Sequence, residues 1–482
     1  MSSDASASFD PVPLWINGKV HPIKTDRATF PVIQAASEYP VHHAVSASSS
    51  DALDAVDSSK QAFQTWKKAS HVQRRELIQK VAAFYEKNAD DFVNHQMKET
   101  SCTEPWARQN VNGSIAYLKE IAACVSTLTG TIPQIEKPNT MGFVFKEPIG
   151  PVLCIAPWNA ALVLATRGIA SAIAAGCTVV FKASELCPRT HFTITQAFTE
   201  AGVPPGVLNQ IQVRREEASE VTEALIAHEA IRKVEFIGSA AVGKIIGQLA
   251  AKYLKPVLME LGGKCPAIVL DDADLEEAAK SCALGAVLNH GQICFSTERI
   301  IVHQNAADKF QQLLVTAMEG MEHAAGSAVT KDIAEHAKDV LQDAAQTGHK
   351  FLTGGVAYHQ PLSLQPTIVL EPKNCRIVDE ETFGPSASLY IVPSDAAAIE
   401  LANRSAYGLN ATIWSRDMER SLLMAKELEY GQVHINSISV YTSPTGSQGG
   451  VKGSGFGRQN ARWGLEAFLL DKFVSWHGKG SS

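Results

Sequence analysis

The stretch PVLCIAPWNAALVLATRGIASAIAAGCTVVFKASE, residues 151–185, decides the fold class. Its apolar run at 152–156 predicts a buried strand, residues 161–175 predict a helix, and residues 178–181 predict a second strand. A strand, a helix and a strand in this order are the repeating unit of a parallel sheet. The chain is therefore expected to be an α/β protein.

The same alternation continues towards the C-terminus. Further strands are predicted at 207–213 and 233–237, and a second alternating run begins at residue 267 and ends with a strand near Val433. Strands that alternate with helices in this way predict open, doubly wound, mostly parallel sheets. We therefore expect two doubly wound open-sheet domains.

The domain boundaries follow from these two runs. Residues 1–125 and 148–261 are assigned to the first domain, and residues 262–459 to the second. Two segments are left over, 126–147 and 460–482, of which the first is predicted to form a projecting hairpin and the second a final strand. Because extended segments outside a sheet are suited to strand pairing between subunits, we predict a small β oligomerisation arm and a homodimer or a dimer of dimers.

Composition excludes several classes of function. The chain has 43 Lys and Arg against 50 Asp and Glu, a net charge of −7, so no basic surface for nucleic acid or lipid is expected. Its nine cysteines are scattered without metal-type spacing, which favours a reducing compartment and no structural metal. The N-terminus lacks an apolar signal segment. We predict a cytoplasmic protein that acts on a small molecule, without a membrane or nucleic-acid partner.

Polar residues after two of the strands indicate a dinucleotide. Lys182 and Glu185 follow the second strand, where a carboxylate accepts hydrogen bonds from a ribose and would repel a 2′-phosphate. NAD is therefore expected rather than NADP. The usual GxGxxG turn is absent, because residues 156–159 read APWN. A later turn at Gly238 and Ser239 is suited to a pyrophosphate, although an ordinary tight turn with a small N-cap residue has the same pattern.

Three stretches place a reactive or polar side chain beside small or turn-forming residues: PWNA at 157–160, MELGGK at 259–264 and NHGQICFSTER at 289–299. Cys294 follows a predicted helix in a loop, where a thiol is accessible as a nucleophile. Glu260 follows apolar residues, which suits a base, and the Asn159 amide can donate to an oxyanion. Taken singly, they have ordinary interpretations as a buried cysteine, a paired glutamate and a helix cap.

Taken together, these stretches resemble the motifs of the aldehyde dehydrogenase superfamily over nearly the whole chain: PWN, KASE, FIGS, ELGGK, GQIC, EETFGP, YGL and GGVKGSGFGR. The resemblance implies a Rossmann-like cofactor domain and a catalytic domain. It implies that Cys294 is the nucleophile, Glu260 the general base and Asn159 the oxyanion donor. The implied cofactor-binding residues are Lys182, Glu185, Gly238, Ser239, Glu381, Phe383 and Trp158.

The implied reaction is NAD-dependent oxidation of an aldehyde through a cysteine thioester. Relatives that pass the acyl group to coenzyme A tend to lack the glutamate at the position of Glu260, so hydrolysis to a carboxylic acid is expected. A non-catalytic binding protein on the same scaffold is the alternative from another functional class.

The substrate expectation rests on the branch that the motifs resemble and on departures from the common pattern. The motifs are most similar to the salicylaldehyde and vanillin dehydrogenase branch, so aromatic aldehydes are expected, with aliphatic or polyketide-derived aldehydes as the alternative. Ile237, Gln448 and Arg167 stand where threonine, phenylalanine and an aromatic residue are common. We hypothesise that Arg167 pairs with a ring hydroxyl or phenolate and that Tyr441 offers a stacking face; a salt bridge from Arg167 to a neighbouring carboxylate is the alternative.

Overall fold

The computed structural model describes residues 10–22, 28–35 and 37–479. Its helices are α1 (Ser49–Trp66), α2 (His71–Lys87), α3 (Ala89–Thr100), α4 (Glu104–Cys124), α5 (Ala161–Ala175), α6 (Pro188–Glu200), α7 (Ala218–Ala227), α8 (Ala240–Lys252), α9 (Leu275–Val287), α10 (Ala307–Met318), α11 (Glu322–Ala325), α12 (Lys331–Gln346), α13 (Asp395–Asn403), α14 (Met418–Glu427) and α15 (Ala461–Glu466). Among the described residues, no helix has the length and apolar character needed to span a membrane.

The strands are β1 (Trp15–Ile16), β2 (Lys19–Val20), β3 (Thr29–Gln34), β4 (Tyr39–Val45), β5 (Thr140–Pro148), β6 (Pro151–Ile155), β7 (Thr178–Ala183), β8 (Leu208–Gln212), β9 (Lys233–Ile237), β10 (Val257–Glu260), β11 (Cys265–Val269), β12 (Thr297–His303), β13 (Lys350–Thr353), β14 (Tyr358–Gln360), β15 (Ser363–Leu364), β16 (Thr367–Leu370), β17 (Ser386–Val392), β18 (Tyr407–Gly408), β19 (Asn410–Trp414), β20 (Gln432–Ile435), β21 (Val451–Lys452), β22 (Gly455–Phe456) and β23 (Leu469–His477).

The first sheet has the order β2-β1-β8-β7-β6-β9-β10-β22, and β6 to β10 run parallel. Every residue of β7 is buried, because helices cover both faces of the sheet. The strand order reverses between β6 and β9. In an open α/β sheet, the loops that follow two such strands diverge and leave a crevice at their carboxyl ends.

The second sheet has the order β13-β16-β17-β12-β11-β19-β20, and all its strands except β13 run parallel. Residues 261–264 join β10 of the first sheet to β11 of the second. The carboxyl end of β10 therefore lies close to the amino end of β11. The later strand β22 returns to the first sheet and pairs Gly455 with Glu260. The α/β fold with mostly parallel sheets is confirmed.

The two segments left over from the sheets pair with each other. β5 and β23 form an antiparallel ribbon from Thr140 opposite His477 to Pro148 opposite Leu469. The expected hairpin within 126–147 is reduced to a single bridge between Thr131 and Val144, because the C-terminal strand is the main partner of β5. The ribbon leaves apolar side chains exposed, among them Phe145, Phe473 and Trp476. The domain boundaries and the oligomerisation role stay predictions.

Candidate active site

The loop that carries Cys294 begins with an unusual turn after α9. Asn289, His290 and Gly291 all have positive φ, at 53°, 60° and 70°. Two of these are not glycine, so the turn is strained and must be held by its surroundings. The His290 ring accepts a hydrogen bond at 3.0 Å from the backbone N–H of Leu364, and burial lowers the pKa of His290 to about 3. This turn places the Cys294 side chain half-buried, outside the packed core.

Glycines let this loop touch its neighbours through backbone atoms. An added Cβ at Gly263 would overlap the carbonyl oxygen of Cys294, and one at Gly291 would overlap that of Gly384. Any other residue would push the cysteine loop away from the β10–β11 link or from the 380–385 segment. The glycines of ELGGK and HGQIC therefore fix where the thiol lies.

The three candidate catalytic residues lie together. The Cys294 thiol donates to Glu260 Oε1 at 3.6 Å. Burial and then the nearby Glu260 carboxylate raise the pKa of the Cys294 thiol well above its usual value. The Asn159 amide donates to the carbonyl oxygen of Gln292 at 3.0 Å, which ties it to the cysteine loop. A thiol of this kind needs a base beside it, and Glu260 is within reach.

The second oxygen of Glu260, Oε2, accepts hydrogen bonds from the side chains of Arg167 and Gln448. Glu260 Oε2 accepts from Arg167 Nη2 at 2.5 Å and from Gln448 Nε2 at 2.9 Å. Both charged side chains are buried, so each compensates the other. The salt bridge left open by the sequence is therefore present. A contact between Arg167 and a substrate hydroxyl stays a prediction.

A first cavity of about 400 Å³ lies in the crevice between the carboxyl ends of β6 and β9. Five of the expected cofactor residues line it, together with Cys294 and Glu260: Trp158, Gly238, Ser239, Glu381 and Phe383. Ser239 caps helix α8 by accepting from the backbone N–H of Val242 at 3.3 Å. Gly238 and Ser239 thus line the cavity at the N-terminus of α8, a position that suits a phosphate group.

Glu381 and Phe383 reach this cavity from the 380–385 segment. The backbone N–H of Gly263 donates to Glu381 Oε1 at 2.9 Å, and burial raises the pKa of Glu381 to about 8. The Phe383 ring meets that of Trp158 edge to face, with the ring centres 6.0 Å apart. Two expected cofactor residues, Lys182 and Glu185, lie outside the cavity lining.

Lys182 is the second-to-last residue of β7, next to β6, and Glu185 lies three residues further along the chain. Lys182 is buried, and this burial lowers the pKa of its ammonium group. Because β7 and β6 are neighbours, both side chains lie along the same carboxyl edge as the first cavity. This position suits the far end of an extended ligand whose near end lies at Cys294.

The 380–385 segment is anchored by an ion pair that the sequence reasoning did not single out. Lys264 Nζ lies 2.5 Å from Glu298 Oε2, and both side chains are buried. The Glu298 carboxylate also accepts from the backbone N–H of Thr382 at 2.9 Å. Lys264 ends ELGGK and Glu298 stands in FSTER, so one charged residue of opposite sign in each of two motifs near the site was the available signal.

A second cavity of about 300 Å³ lies on the other side of Cys294. Asn159 and Cys294 line both cavities. The second cavity has an aromatic lining that includes Trp106, Tyr117, Phe295 and Tyr441, and it is also lined by Arg167, Thr442 and Gln448. Tyr441 stands at its open side, 47% exposed, with its ring edge-to-face against His434.

Gln459 is a further member of the site that sequence reasoning missed. Its side chain accepts from Arg167 Nη2 at 2.5 Å and donates to Glu235 at 2.8 Å. The available signal was the pattern of the segment 448–459, in which two glutamines flank a run rich in glycine. Uncharged polar side chains in such a run have backbone on every side and are suited to buried hydrogen bonds.

The model of the aldehyde dehydrogenase family matches residues 23–474. The described site and this match together define an oxidoreductase. The chain belongs to the aldehyde dehydrogenase family, whose members use NAD or NADP, and it is an enzyme that acts on aldehydes.

Its similar relatives include enzymes named for aromatic aldehydes. The chain is 37% identical over 462 residues to salicylaldehyde dehydrogenase of Pseudomonas putida, covering 94% of this chain and 95% of the relative. It is 37% identical over 473 residues to vanillin dehydrogenase of Pseudomonas fluorescens, covering 96% and 97%.

Solved structures agree with this placement. A crystal structure of a salicylaldehyde dehydrogenase from Pseudomonas putida G7 complexed with salicylaldehyde matches with a TM-score of 0.94 and 36% identity, covering 98% of this chain and 99% of the other. A structure of betaine aldehyde dehydrogenase from Staphylococcus aureus in complex with NAD+ matches with a TM-score of 0.93 and 26% identity, covering 98% and 95%.

Proposed function

We propose that this enzyme oxidises an aromatic aldehyde to its carboxylic acid, with NAD as the oxidant and water as the second reactant. The observation that carries the proposal is the position of Cys294, which lines both cavities and lies beside a carboxylate and an amide. One cavity then suits the cofactor and the other the aldehyde, so that both reach the same sulfur atom.

The first cavity fits a nicotinamide dinucleotide. It lies at the point where the strand order reverses, and it adjoins the N-terminus of α8, where Gly238 and Ser239 are suited to a pyrophosphate. Glu381 offers carboxylate oxygens to a ribose, and Trp158 and Phe383 supply ring faces and edges beside the thiol. When bound there, NAD supplies the two-electron acceptor of the oxidation.

Cys294 begins the reaction as the nucleophile. Its thiol proton passes to Glu260 Oε1, and the sulfur forms a bond to the aldehyde carbon while the carbonyl π electrons move to oxygen. The bond to Gln292 uses one of the two hydrogens on the Asn159 amide nitrogen. The other is suited to donate to the new alkoxide. After oxidation at this carbon, the acyl group remains on Cys294 as a thioester.

Glu260 then serves the hydrolysis. Once its first proton has gone to solvent, the carboxylate takes a proton from water as the water oxygen bonds to the thioester carbon. The C–S bond breaks, the sulfur leaves as a thiolate, and the carboxylic acid is released. The net reaction converts the aldehyde, NAD+ and water into the acid, NADH and a proton.

Lys182 and Glu185 support NAD over NADP. A carboxylate at the end of the second parallel strand accepts from the ribose 2′-hydroxyl and repels a phosphate at that position. We therefore expect Glu185→Gln to lower the ratio of kcat/KM with NAD to kcat/KM with NADP by about tenfold. This is the change that the loss of one charge repulsion of roughly 1.4 kcal/mol would give. The kcat/KM ratio for the two cofactors measures it, and an unchanged ratio would show that Glu185 does not read the 2′ position.

The aromatic substrate class is supported by the four aromatic side chains of the second cavity and by the names of the similar relatives. The test is a panel of benzaldehyde, salicylaldehyde, vanillin and hexanal with NAD and NADP in parallel, followed by NADH or NADPH absorbance. We expect kcat/KM to be highest for the aromatic aldehydes. A higher value for hexanal would favour aliphatic substrates, and nucleotide binding without turnover would favour a binding protein.

We also propose a cytoplasmic homo-oligomer. All nine cysteines are free, which fits a reducing compartment. The β5–β23 ribbon exposes apolar side chains, and an exposed apolar strand pair is suited to subunit contacts. Light scattering tests this proposal, with a mass of two or four chains as the expected result and a monomer as the contrary one.

A further inference from the structure

Arg167 is a buried charge in the wall of the second cavity. Its side chain is 2% exposed, and a guanidinium in such a place needs full compensation. It donates from Nη2 to Glu260 at 2.5 Å and to Gln459 at 2.5 Å, and from Nη1 to Gln448 at 2.6 Å. These bonds fix the orientation of the guanidinium relative to the Glu260 carboxylate.

The two glutamines are themselves fixed by the backbone. Gln448 and Gln459 pair with each other through backbone hydrogen bonds of 3.2 and 2.7 Å. Between them, β22 pairs with β10 at Glu260. Gln448 Nε2 also donates to Glu260 Oε2 at 2.9 Å. Oε2 is thus held by donors from two different elements, while Oε1 is the oxygen that faces the Cys294 sulfur.

Glu235 is a second carboxylate near Arg167 and accepts from the Gln459 side chain at 2.8 Å and from the Cys154 thiol at 3.4 Å. Space for it against α5 exists because residue 168 is glycine, where an added Cβ would overlap Glu235 Oε2. Burial raises the pKa of Glu235. Of the two carboxylates, Glu260 is the one that the Arg167 guanidinium contacts directly.

Resting on the proposed function, we propose that Arg167 is the positioning residue of the Glu260 base. Arg167 and Gln448 hold Oε2 so that Oε1 points at Cys294, and the guanidinium is the charged partner of the buried carboxylate. Arg167 therefore acts through Glu260 on every aldehyde that the enzyme accepts, whether or not the ring carries a hydroxyl group.

The titratable and charged groups around Glu260 are Arg167 on α5, Tyr117 on α4, Glu235 on β9 and Cys294 in its loop. Among these groups, Arg167 is the cation. Replacing Arg167 with methionine leaves the buried Glu260 carboxylate without its charged partner and without the donor that fixes Oε2. A buried base without a cation beside it is less effective at low pH, so the acidic limb of the kcat profile should move to higher pH.

The test compares Arg167→Met, Arg167→Lys and Gln448→Met with the wild type after their melting temperatures have shown that they are folded. We expect Arg167→Met to lower kcat at pH 7 by about tenfold or more, because the base is no longer held towards Cys294, with KM for the aldehyde changed less than kcat. The loss should be equal for benzaldehyde and 2-hydroxybenzaldehyde. Arg167→Lys keeps a cation and should restore the acidic limb, whereas Gln448→Met should lower kcat without moving it.

Infrared titration gives a readout that does not need turnover. Protonated carboxyl groups have their own carbonyl band, and Arg167→Met should show such a band near neutral pH that the double variant with Glu260→Gln lacks. If the wild type oxidises no aldehyde, the proposed function fails, and this band still decides the state of Glu260.

Three results would overturn the inference. The first is an acidic limb and a carboxyl band that do not move in Arg167→Met. The second is a loss confined to KM for 2-hydroxybenzaldehyde, which would assign Arg167 to ring-hydroxyl recognition. The third is an equal, pH-independent loss in Arg167→Met and Arg167→Lys, which would show a purely structural role. If Arg167→Met does not fold, Arg167→Lys and Gln448→Met decide by the same two readouts.

Discussion

The two cavities that meet at Cys294 are built in different ways. The first brings together short motifs, and two of its glycines allow close packing: an added Cβ would overlap the Glu381 carboxylate at Gly262 and the Phe236 ring at Gly238. The second is bounded by side chains from four distant parts of the chain, 106–117, 159–167, 293–295 and 440–448. Both cavities need the tertiary fold, but the first also depends on glycines in close contact and the second on the size and shape of its side chains.

This difference has a functional consequence. Closely packed glycines tolerate few substitutions, because an added Cβ at Gly238 or Gly262 collides with a neighbouring ring or carboxylate. A wall made of side chains changes shape when a single residue changes. We therefore expect the first cavity to tolerate little change in cofactor and the second to be where substrate choice is set. Substitutions of Cys294 and Asn159, which line both cavities, should affect the whole reaction, whereas substitutions of Glu381 and Tyr441 should each affect one cavity.

The largest effect is expected where both cavities meet. Cys294→Ala removes the atom that bonds to the aldehyde, so kcat/KM for aldehyde oxidation should fall by about 10⁴-fold or more. NAD binding, measured by calorimetry, should persist because the first cavity keeps its other walls. Cys375→Ala, at another half-buried cysteine, is the matched control and should leave activity unchanged. Activity above about a hundredth of the wild type would contradict a nucleophilic role.

Asn159 lies in the same shared wall and should give the next largest effect. Asn159→Ala removes the amide donor, so kcat should fall by about 10²- to 10³-fold. The backbone carbonyl of residue 159 would still accept from Trp106 at 2.9 Å and from Asn289 at 3.2 Å, so the loop should keep its place. An unchanged melting temperature checks this. A loss of kcat below about fivefold would show that the amide does not stabilise the alkoxide.

The same contrast explains what the sequence could predict. Helix α5 and strand β9 begin and end where the pattern of small and apolar residues indicated, since local periodicity and turn residues define them. Asn159, Glu260 and Cys294 could be singled out because each stands beside glycines or a strand end. The motifs that carry these three residues also form turns of the fold, and those turns bring the three side chains together.

The polar support of Glu260 could not be predicted in the same way. Gln448 donates to Glu260 next to the point where β22 pairs with β10, and no local pattern specifies a pairing between strands almost two hundred residues apart. Glu235 lies in a strand that reads as buried, and its partner Gln459 is equally distant in the sequence. The pairing of β5 with β23 could not be predicted for the same reason, because the two strands also lie far apart in the sequence.

Glu381 tests the first cavity alone. Its pKa of about 8 lies above the ordinary value for glutamate, so the carboxyl group is mostly protonated at pH 7 and mostly ionised at pH 9. An ionised carboxylate accepts hydrogen bonds from ribose better than a protonated one. KM for NAD should therefore fall as pH rises, by up to about tenfold over this range, which is the change in the ionised fraction.

Glu381→Gln should abolish this pH dependence of KM for NAD, because glutamine does not titrate. Glu380→Gln is the matched control, since the neighbouring carboxylate is more exposed and pairs with Arg376 instead. Glu380→Gln should show the wild-type dependence of KM for NAD on pH. The same pH dependence in Glu381→Gln would assign the titration to another group.

Tyr441 tests the second cavity alone and should give the smallest effect. Tyr441→Ala removes a ring face at the open side of the cavity, where stacking with an aromatic substrate is worth about 1 kcal/mol. Benzaldehyde should lose roughly fivefold in kcat/KM, as that energy implies, whereas hexanal, which has no ring to stack, should lose less. Tyr441→Phe keeps the ring and should retain benzaldehyde activity. An equal loss for both aldehydes would show that Tyr441 shapes the cavity mouth without recognising the ring, and substrate choice would then depend on the deeper wall formed by Trp106, Tyr117 and Phe295.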